Sequence, residues 1–177
     1  CGKTSLLEQT LAALGGELRM AVIEGDLFTT KDAARIERCG APVVQINTSG
    51  GCHLDAAMVA AALGKLDLSA LDLLVIENVG NLVCPASYDV GSHFNVVLLS
   101  VPEGDDKVAK YPVMFRAADL IVITKTSLLP HFEFDVKKVV KEARKLNPKV
   151  DVIELDAKTG EGMEKWLNFL KFKKELR

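Results

Sequence analysis

The residues with the clearest chemical potential open the chain, where Gly2, Lys3 and Thr4 precede an apolar helical pattern. A P-loop reads G-x-x-x-x-G-K-[ST], so Cys1 would be the last of its four variable positions, and the first glycine and the strand before it would lie upstream. Backbone N–H groups at a helix N-terminus bind phosphate oxygens. The Lys3 ammonium would neutralise β- and γ-phosphate charge, and Thr4 would hold Mg²⁺, with Ser5 also assigned to the nucleotide.

Carboxylates follow two apolar runs and would support such a site. Glu77 comes directly after LLVI, and Asp26 ends AVIEGD. In a doubly wound sheet, ligands bind beyond the carboxyl ends of the strands, where an acid can hold a Mg²⁺ shell. Gly80 would let the backbone approach a γ-phosphate closely. The alternative for each acid is a loop cap or an exposed turn, and G-K-T taken alone favours an ordinary helix start with a surface lysine over a phosphate loop.

A thiol–imidazole group lies on two further loops. Cys52 and His53 follow a predicted strand and stand at the start of a predicted helix, and Cys84 follows another strand. A helix N-terminus favours the thiolate form that binds metal. Two thiolates and one imidazole suit Zn²⁺ or Ni²⁺ better than Mg²⁺ or Ca²⁺. The alternative is that these cysteines are small core residues without a ligand.

Two late loops look like a base pocket. Residues 124–127 read T-K-T-S and residues 156–158 read D-A-K, where GTP-binding proteins carry N-K-x-D and S-A-K. Lys125 would lie along the base plane, and the Ala157 amide would meet the base oxygen, with Lys158 beside it. Ser127 holds the position of the aspartate that reads the guanine edge. Loss of that hydrogen bond would cost ~1.5–3 kcal/mol, so we expect a weakened guanine preference.

The elements that position these loops alternate along the chain. Apolar runs without strict alternation predict strands buried on both faces, and they occupy residues 19–26, 42–47, 71–78, 95–101, 119–125 and 150–156. Periodic segments predict helices over 6–14, 30–38, 53–64 and 135–146 and from about 162 onward. The alternation predicts a single α/β domain over residues 1–177, with a doubly wound, mostly parallel sheet and a P-loop NTPase fold.

Composition limits the class of partner. Of 177 residues, 49% are apolar and 26% charged, and the net charge is −2. There is no basic surplus to suggest nucleic acid or an anionic membrane surface, and no apolar run approaches the length of a membrane span. Four cysteines without a C-x-x-C motif do not form a small disulfide scaffold. We therefore expect a reduced, cytoplasmic setting.

Taken together, the motifs resemble one family: HypB, the nickel-insertion accessory GTPases of hydrogenase maturation. The resemblance covers nearly the whole chain and rests on CGKTSLLE, VIEGDLFTTKDAARI, GCHLDA, IENVGNLVCPASYDVG, LLSVPEGDDKVAKYPVMFRAADLIVITK and AKTGEGMEKWLNFL. IENVGNLVCP combined with CHLDA is the most specific part. It separates the chain from the related urease accessory GTPases, which carry Cys-Pro-His instead.

The resemblance implies a slow GTPase with Mg²⁺ and a metal site at a nucleotide-dependent homodimer interface. It further implies that Cys52, His53 and Cys84 bind nickel or zinc, that Asp26 and Glu77 lie near the magnesium ion, and that hydrogenase maturation proteins are partners. Two alternatives stay open. One is a metal carrier or store without productive GTP turnover, and the other is an ATP-dependent metal-insertion protein.

Overall fold

The structure is a computed structural model that describes residues 1–26 and 30–176. The resemblance stretch VIEGDLFTTKDAARI includes residues 27–29, which lie outside the described residues. Two compact units divide the chain. We call residues 3–92 with 170–176 the first unit, and residues 1–2 with 93–169 the second unit.

The first unit contains a three-stranded parallel sheet in the order β2-β1-β3. Its strands and helices are α1 (Lys3–Leu14), β1 (Met20–Asp26), α2 (Lys31–Glu37), β2 (Val43–Asn47), α3 (Ala56–Leu63) and β3 (Leu73–Glu77). Short 3₁₀ turns cover Leu68–Ala70 and Cys84–Ser87. Its core packs Ile23 of the central strand β1 with Val44, Leu54 and Val59. Because β1 is central, both of its faces are covered and six of its seven residues are buried.

The second unit repeats this plan with the strand order β4-β5-β6, again parallel. Its elements are β4 (Val96–Ser100), α4 (Lys107–Lys110), α5 (Pro112–Arg116), β5 (Leu120–Thr124), α6 (Val136–Leu146) and β6 (Asp151–Glu154), with 3₁₀ turns at Val101–Glu103 and Thr126–His131. The last helix, α7 (Met163–Glu175), contributes residues to both units. The central strand β5 is buried throughout.

All six predicted strands are confirmed, as are the helices over 6–14, 30–38 and 135–146 and the last helix. The predicted α/β fold with parallel strands is confirmed, and the six described strands pair as two sheets of three. The helix expected over 53–64 begins only at Ala56, because the Asp55 side chain caps it by accepting the Met58 N–H at 2.8 Å.

Candidate functional site

The start of α1 lies against the end of β3. The Thr4 hydroxyl donates to Glu77 Oε1 at 2.9 Å, and Lys3 Nζ lies 4.0 Å from the same oxygen. Both Thr4 and Glu77 are buried. A Cβ added at Gly80 would come within 3.3 Å of Lys3 Nζ, so the absence of a side chain there keeps the space beside the ammonium open. The first unit thus places Lys3 and Thr4 beside Glu77, as the sequence predicts.

A cavity of about 190 Å³ opens beside this contact. Its lining comes from α1, the end of β1, α2 and the loop after β3, and includes Lys3, Asp26, Asp32, Glu77 and Gly80. Asp26 therefore lies where the sequence predicts it. The cavity combines one ammonium with several carboxylates, which is a donor set suited to a phosphate–cation pair.

The sequence analysis missed two acids of this cavity, Glu24 and Asp32. Carboxylate oxygens of Glu24, Asp32 and Glu77 lie within 4.8 Å of one another. Glu24 and Glu77 are register partners on β1 and β3, so the parallel pairing of the two strands sets their side chains next to each other. A glutamate inside an otherwise apolar strand was the signal for Glu24. Asp32 had no such signal, because it lies in the first turn of helix α2 and not at the end of a strand.

The carboxyl groups of Glu24 and Glu77 are both buried. Burial raises the pKa of Glu24 to about 9, and the neighbouring Glu77 charge adds to the shift, while Lys3 opposes it. Neither Glu24 Oε2 nor Glu77 Oε2 meets a hydrogen-bond donor among the described residues. Two adjacent buried carboxylates cannot both stay charged without a compensating cation or a proton. The pair is therefore suited to a divalent cation with oxygen ligands.

The thiol–imidazole residues also come together in the first unit. The structure pairs Cys52 with Cys84 as a disulfide, with a Cα–Cα distance of 6.0 Å. His53 Nδ1 lies 3.9 Å from Cys52 Sγ, and the His53 ring stacks on Tyr88 with 3.5 Å between ring centroids. A disulfide sulfur is not a thiolate, so use of this pair as metal ligands requires its reduction to two thiols.

The placement of Cys52 and His53 at a helix start is wrong. They lie in the loop before Asp55, which takes the N-cap of α3, so the helix N-terminus does not act on the Cys52 sulfur directly. Cys84 instead begins a 3₁₀ turn. Their roles as metal ligands stay a prediction.

Two asparagines, Asn78 and Asn81, connect the loop that holds Cys52 and His53 to the loop after β3. Asn81 Nδ2 donates to the Cys52 carbonyl at 2.7 Å, and Asn81 Oδ1 accepts from the Cys84 N–H at 2.9 Å. Asn78, next to Glu77, accepts from the Leu54 N–H at 3.0 Å. Two hydrogen bonds therefore join the two loops, one at the Cys52 carbonyl and one at the Leu54 N–H.

Leu54 also rests directly on β1. It is fully buried, and a Cβ added at Gly25 would lie 2.8 Å from the Leu54 side chain. Glycine at residue 25 thus allows the loop that carries His53 to approach the strand backbone.

The predicted base-pocket residues lie together in the second unit. Lys125 has φ +60°, a left-handed conformation uncommon for a lysine and typical of a position that the surroundings constrain. The Thr124 hydroxyl donates to the Cys1 carbonyl at 2.9 Å. The Ser127 hydroxyl donates to Asp156 Oδ2 at 2.5 Å, joining the loop after β5 to the loop after β6.

Ser5, which the sequence assigns to the nucleotide, lies in the first unit, where its hydroxyl oxygen accepts from Arg35 Nη2 at 3.1 Å.

Parallel α/β units with a G-K-T helix start, a buried carboxylate at a strand end and an acidic cavity beside them define a nucleotide-binding domain of the P-loop NTPase class. Among the described residues, no helix is long and apolar enough to cross a membrane.

Comparisons with known proteins identify the branch of that class. A family model described as "CobW/HypB/UreG, nucleotide-binding domain" matches residues 1–154. The chain belongs to this family, on its HypB branch.

Three relatives illustrate the match. A hydrogenase maturation factor HypB from Azotobacter vinelandii is 56% identical over 169 residues, which cover 96% of this chain and 56% of that protein. HypB from Helicobacter pylori, solved in complex with nickel, superimposes with a TM-score of 0.93 at 43% identity and covers 98% and 82% of the two chains. HypB from Archaeoglobus fulgidus gives 0.90 at 44% identity, with 98% and 84% covered. The chain spans just over half the length of the A. vinelandii relative.

Proposed function

We propose that this chain is the GTP-binding and GTP-hydrolysing domain of a nickel metallochaperone that supports nickel insertion into [NiFe] hydrogenase. The observation that carries the proposal is the hydrogen-bonded connection between the loop that follows Glu77 and the loop that holds Cys52. It gives a nucleotide site a physical means of acting on a metal site.

The phosphates would lie beyond the carboxyl ends of β1 and β3, beside Glu77. Lys3 neutralises phosphate charge, and backbone N–H groups of Gly2, Lys3 and Thr4 bind phosphate oxygens. Hydrolysis transfers the γ-phosphoryl group to water, giving GDP and phosphate. Asp26 lines the cavity together with Glu77, and we assign it to orienting that water.

The residues of the cavity fit a magnesium ion. Two buried carboxylate oxygens, on Glu24 and Glu77, meet no donor among the described residues and would be satisfied by a cation. Thr4 already contacts Glu77 and would share in holding it, with Asp26 and Asp32 nearby. When bound, Mg²⁺ neutralises charge on the β- and γ-phosphates. Lys3 would then bind phosphate in place of its contact with Glu77.

Nickel, or zinc, is the proposed cargo. Reduced Cys52 and Cys84 with His53 offer two sulfurs and one imidazole nitrogen, which suit either ion. The H. pylori relative was solved with nickel. A second copy of the chain would complete the coordination. The exposed Val83 next to Cys84 and the exposed Tyr88 on His53 support a homodimer at this surface.

Coupling follows from the shared loop. A γ-phosphate contacting the backbone near Gly80 would shift residues 78–81, and Asn81 would pass the shift to Cys84 and to the Cys52 carbonyl. Nickel would be held in the GTP state and released to a maturation partner in the GDP state.

The test measures nickel affinity of the reduced full-length protein with a non-hydrolysable GTP analogue and with GDP. We expect the two affinities to differ by at least about fivefold, the lower range of allosteric coupling, and Asn81→Ala to reduce that ratio towards one. Asn147→Ala is the matched control, since it removes an amide-to-carbonyl bond of 2.8 Å in the second unit. Equal nickel affinities in both nucleotide states would refute the coupling. Nickel binding without any GTP turnover would favour the metal-carrier alternative.

A further inference from the structure

Ser127 and Asp156 form the closest side-chain contact of the two base-pocket loops. The Ser127 hydroxyl donates to Asp156 Oδ2 at 2.5 Å, and the Ser127 N–H donates to the same oxygen at 3.3 Å. The residues lie 29 positions apart, one after β5 and one after β6. The contact therefore holds the two loops in a fixed relation.

The hydrogen-bonding capacity of Asp156 is used inside the protein. Oδ1 accepts from the N–H groups of Lys158 at 2.8 Å and Thr159 at 3.2 Å, while Oδ2 accepts both Ser127 bonds. The residue is 3% exposed. Burial alone would raise the pKa of its carboxyl group, but these hydrogen bonds hold the pKa below its usual value. Asp156 is thus a charged group that a ligand cannot reach.

Ser127 and Ala157 are the groups left to face a base. The single hydroxyl proton of Ser127 is donated to Asp156, so its exposed oxygen can act only as a neutral acceptor. The Ala157 N–H directly precedes the Lys158 and Thr159 N–H groups that bind Asp156, yet it meets no acceptor among the described residues. Ser127 and Ala157 therefore offer the edge of a base one donor and one uncharged acceptor.

Purine bases differ in the hydrogen-bond donors and acceptors on the edge that such a pocket would contact. Guanine and hypoxanthine both present a 6-oxo acceptor and an N1–H donor, and only guanine adds a 2-amino donor. Adenine presents an amino donor at position 6 and a bare N1 acceptor. An amide donor and a single neutral oxygen match the 6-oxo and N1–H groups, leave the 2-amino group without a partner, and place donor against donor for adenine.

We propose that the Ser127–Asp156 pair sets the base selectivity of this chain: the site binds 6-oxopurine nucleotides, guanine and hypoxanthine alike, and discriminates against adenine. The inference rests on the proposed function, in which the loops at 124–127 and 156–158 hold the base. It widens the set of expected substrates from GTP alone to 6-oxopurine nucleoside phosphates, and it keeps adenine nucleotides excluded.

The pair can be reversed in a designed exchange. Ser127→Asp with Asp156→Ser would keep a carboxylate–hydroxyl contact but place the charge on the exposed side. Ser127→Asp alone sets two carboxylates against each other, which like charges disfavour. Asp156→Ser alone removes the acceptor of four hydrogen bonds. Only the double exchange is expected to add guanine selectivity.

The experiment measures dissociation constants of GDP, IDP and ADP with Mg²⁺ by competition with a fluorescent GDP analogue, on full-length protein. For wild type we expect GDP and IDP to agree within about threefold and ADP to bind at least about tenfold more weakly. In the double exchange, GDP should bind at least about tenfold more tightly than IDP, because a charged acceptor then reads the 2-amino group.

Two results would overturn the inference while leaving the proposed function in place. One is a wild-type preference of GDP over IDP of about tenfold or more. The other is ADP binding as tightly as GDP. If the double exchange does not fold, the wild-type ratios decide alone. A folded exchange variant with the wild-type GDP-to-IDP ratio also counts against the inference. Wild-type protein that binds none of the three nucleotides would refute the proposed function itself, and the base selectivity with it.

Discussion

The buried carboxyl pair of Glu24 and Glu77 leads to a stability prediction that does not depend on any ligand. Burial and the neighbouring negative charge raise the pKa of Glu24 from 4.5 to about 9. Between these values the folded chain keeps a proton that the unfolded chain releases. Stability therefore decreases as pH rises through this window, because the unfolded state binds fewer protons than the folded state. Glu24→Gln keeps a neutral side chain of the same shape at every pH and should remove the loss.

The size of the effect follows from linkage. One proton held over one pH unit corresponds to ~1.4 kcal/mol, so a rise from about pH 5.5 to about pH 8 corresponds to about 3 kcal/mol for a complete proton difference. Lys3 favours the charged form of Glu24, and the pKa of about 9 already includes this opposing effect. We expect the free energy of unfolding of Glu24→Gln to gain at least ~1 kcal/mol on wild type over that range.

The assay is urea unfolding at several pH values in EDTA, which removes divalent cations from the carboxylates. Glu154→Gln serves as the matched control, since it neutralises an exposed strand glutamate in the second unit. If wild type and Glu24→Gln lose stability in parallel across the range, Glu24 is ionised in the folded chain. The account of a proton or cation shared between the two carboxyl groups would then be refuted.

Three further predictions concern other parts of the site. Lys3→Ala should weaken GDP binding at least about tenfold in calorimetric titration, because the cavity loses its phosphate-facing cation. Arg35→Met removes a 2.6 Å ion pair between α1 and α2 and should lower the unfolding free energy by up to ~1 kcal/mol. It also removes the 3.2 Å ion pair that positions Asp32 at the cavity, so we expect hydrolysis to require a higher Mg²⁺ concentration. A dithiol reductant should be needed for nickel binding at Cys52 and Cys84, whereas Cys39→Ser should leave the nickel stoichiometry unchanged.

Each of these has a contrary result. If Lys3→Ala binds GDP as tightly as wild type does, the G-K-T helix start does not bind the phosphates. If the Mg²⁺ requirement of Arg35→Met is unchanged, Arg35 stabilises the packing of α1 on α2 and has no effect on the cation site. Equal nickel binding by oxidised and reduced protein would exclude the two sulfurs as ligands.

The site could be predicted from the sequence wherever a residue follows a strand. Glu77 and Asp26 end predicted strands, and parallel strands bring their carboxyl ends to one edge, so their proximity to Lys3 follows from topology alone. Glu24 could not be assigned in the same way, because it lies within a buried strand and its importance depends on the β1–β3 register. That register pairs it with Glu77 and is a tertiary property.

Other features depend on distances between residues that are far apart in the sequence, and motif spacing does not give those distances. The side-chain hydrogen bond from Ser127 to Asp156 joins residues on separate strands, and sequence alone showed Ser127 only as a departure from a motif. The disulfide between Cys52 and Cys84 likewise depends on the approach of two loops. The division into two sheets reflects strand pairing, which runs of Val, Ile and Leu do not specify.

The close approach of Leu54 to Gly25 has a mechanical consequence. His53 is followed directly by Leu54, whose buried side chain packs against the β1 backbone at Gly25. A methyl group added at Gly25 would lie 2.8 Å from that side chain, so Leu54 would have to shift, and we expect the shift to reach the adjoining imidazole of His53.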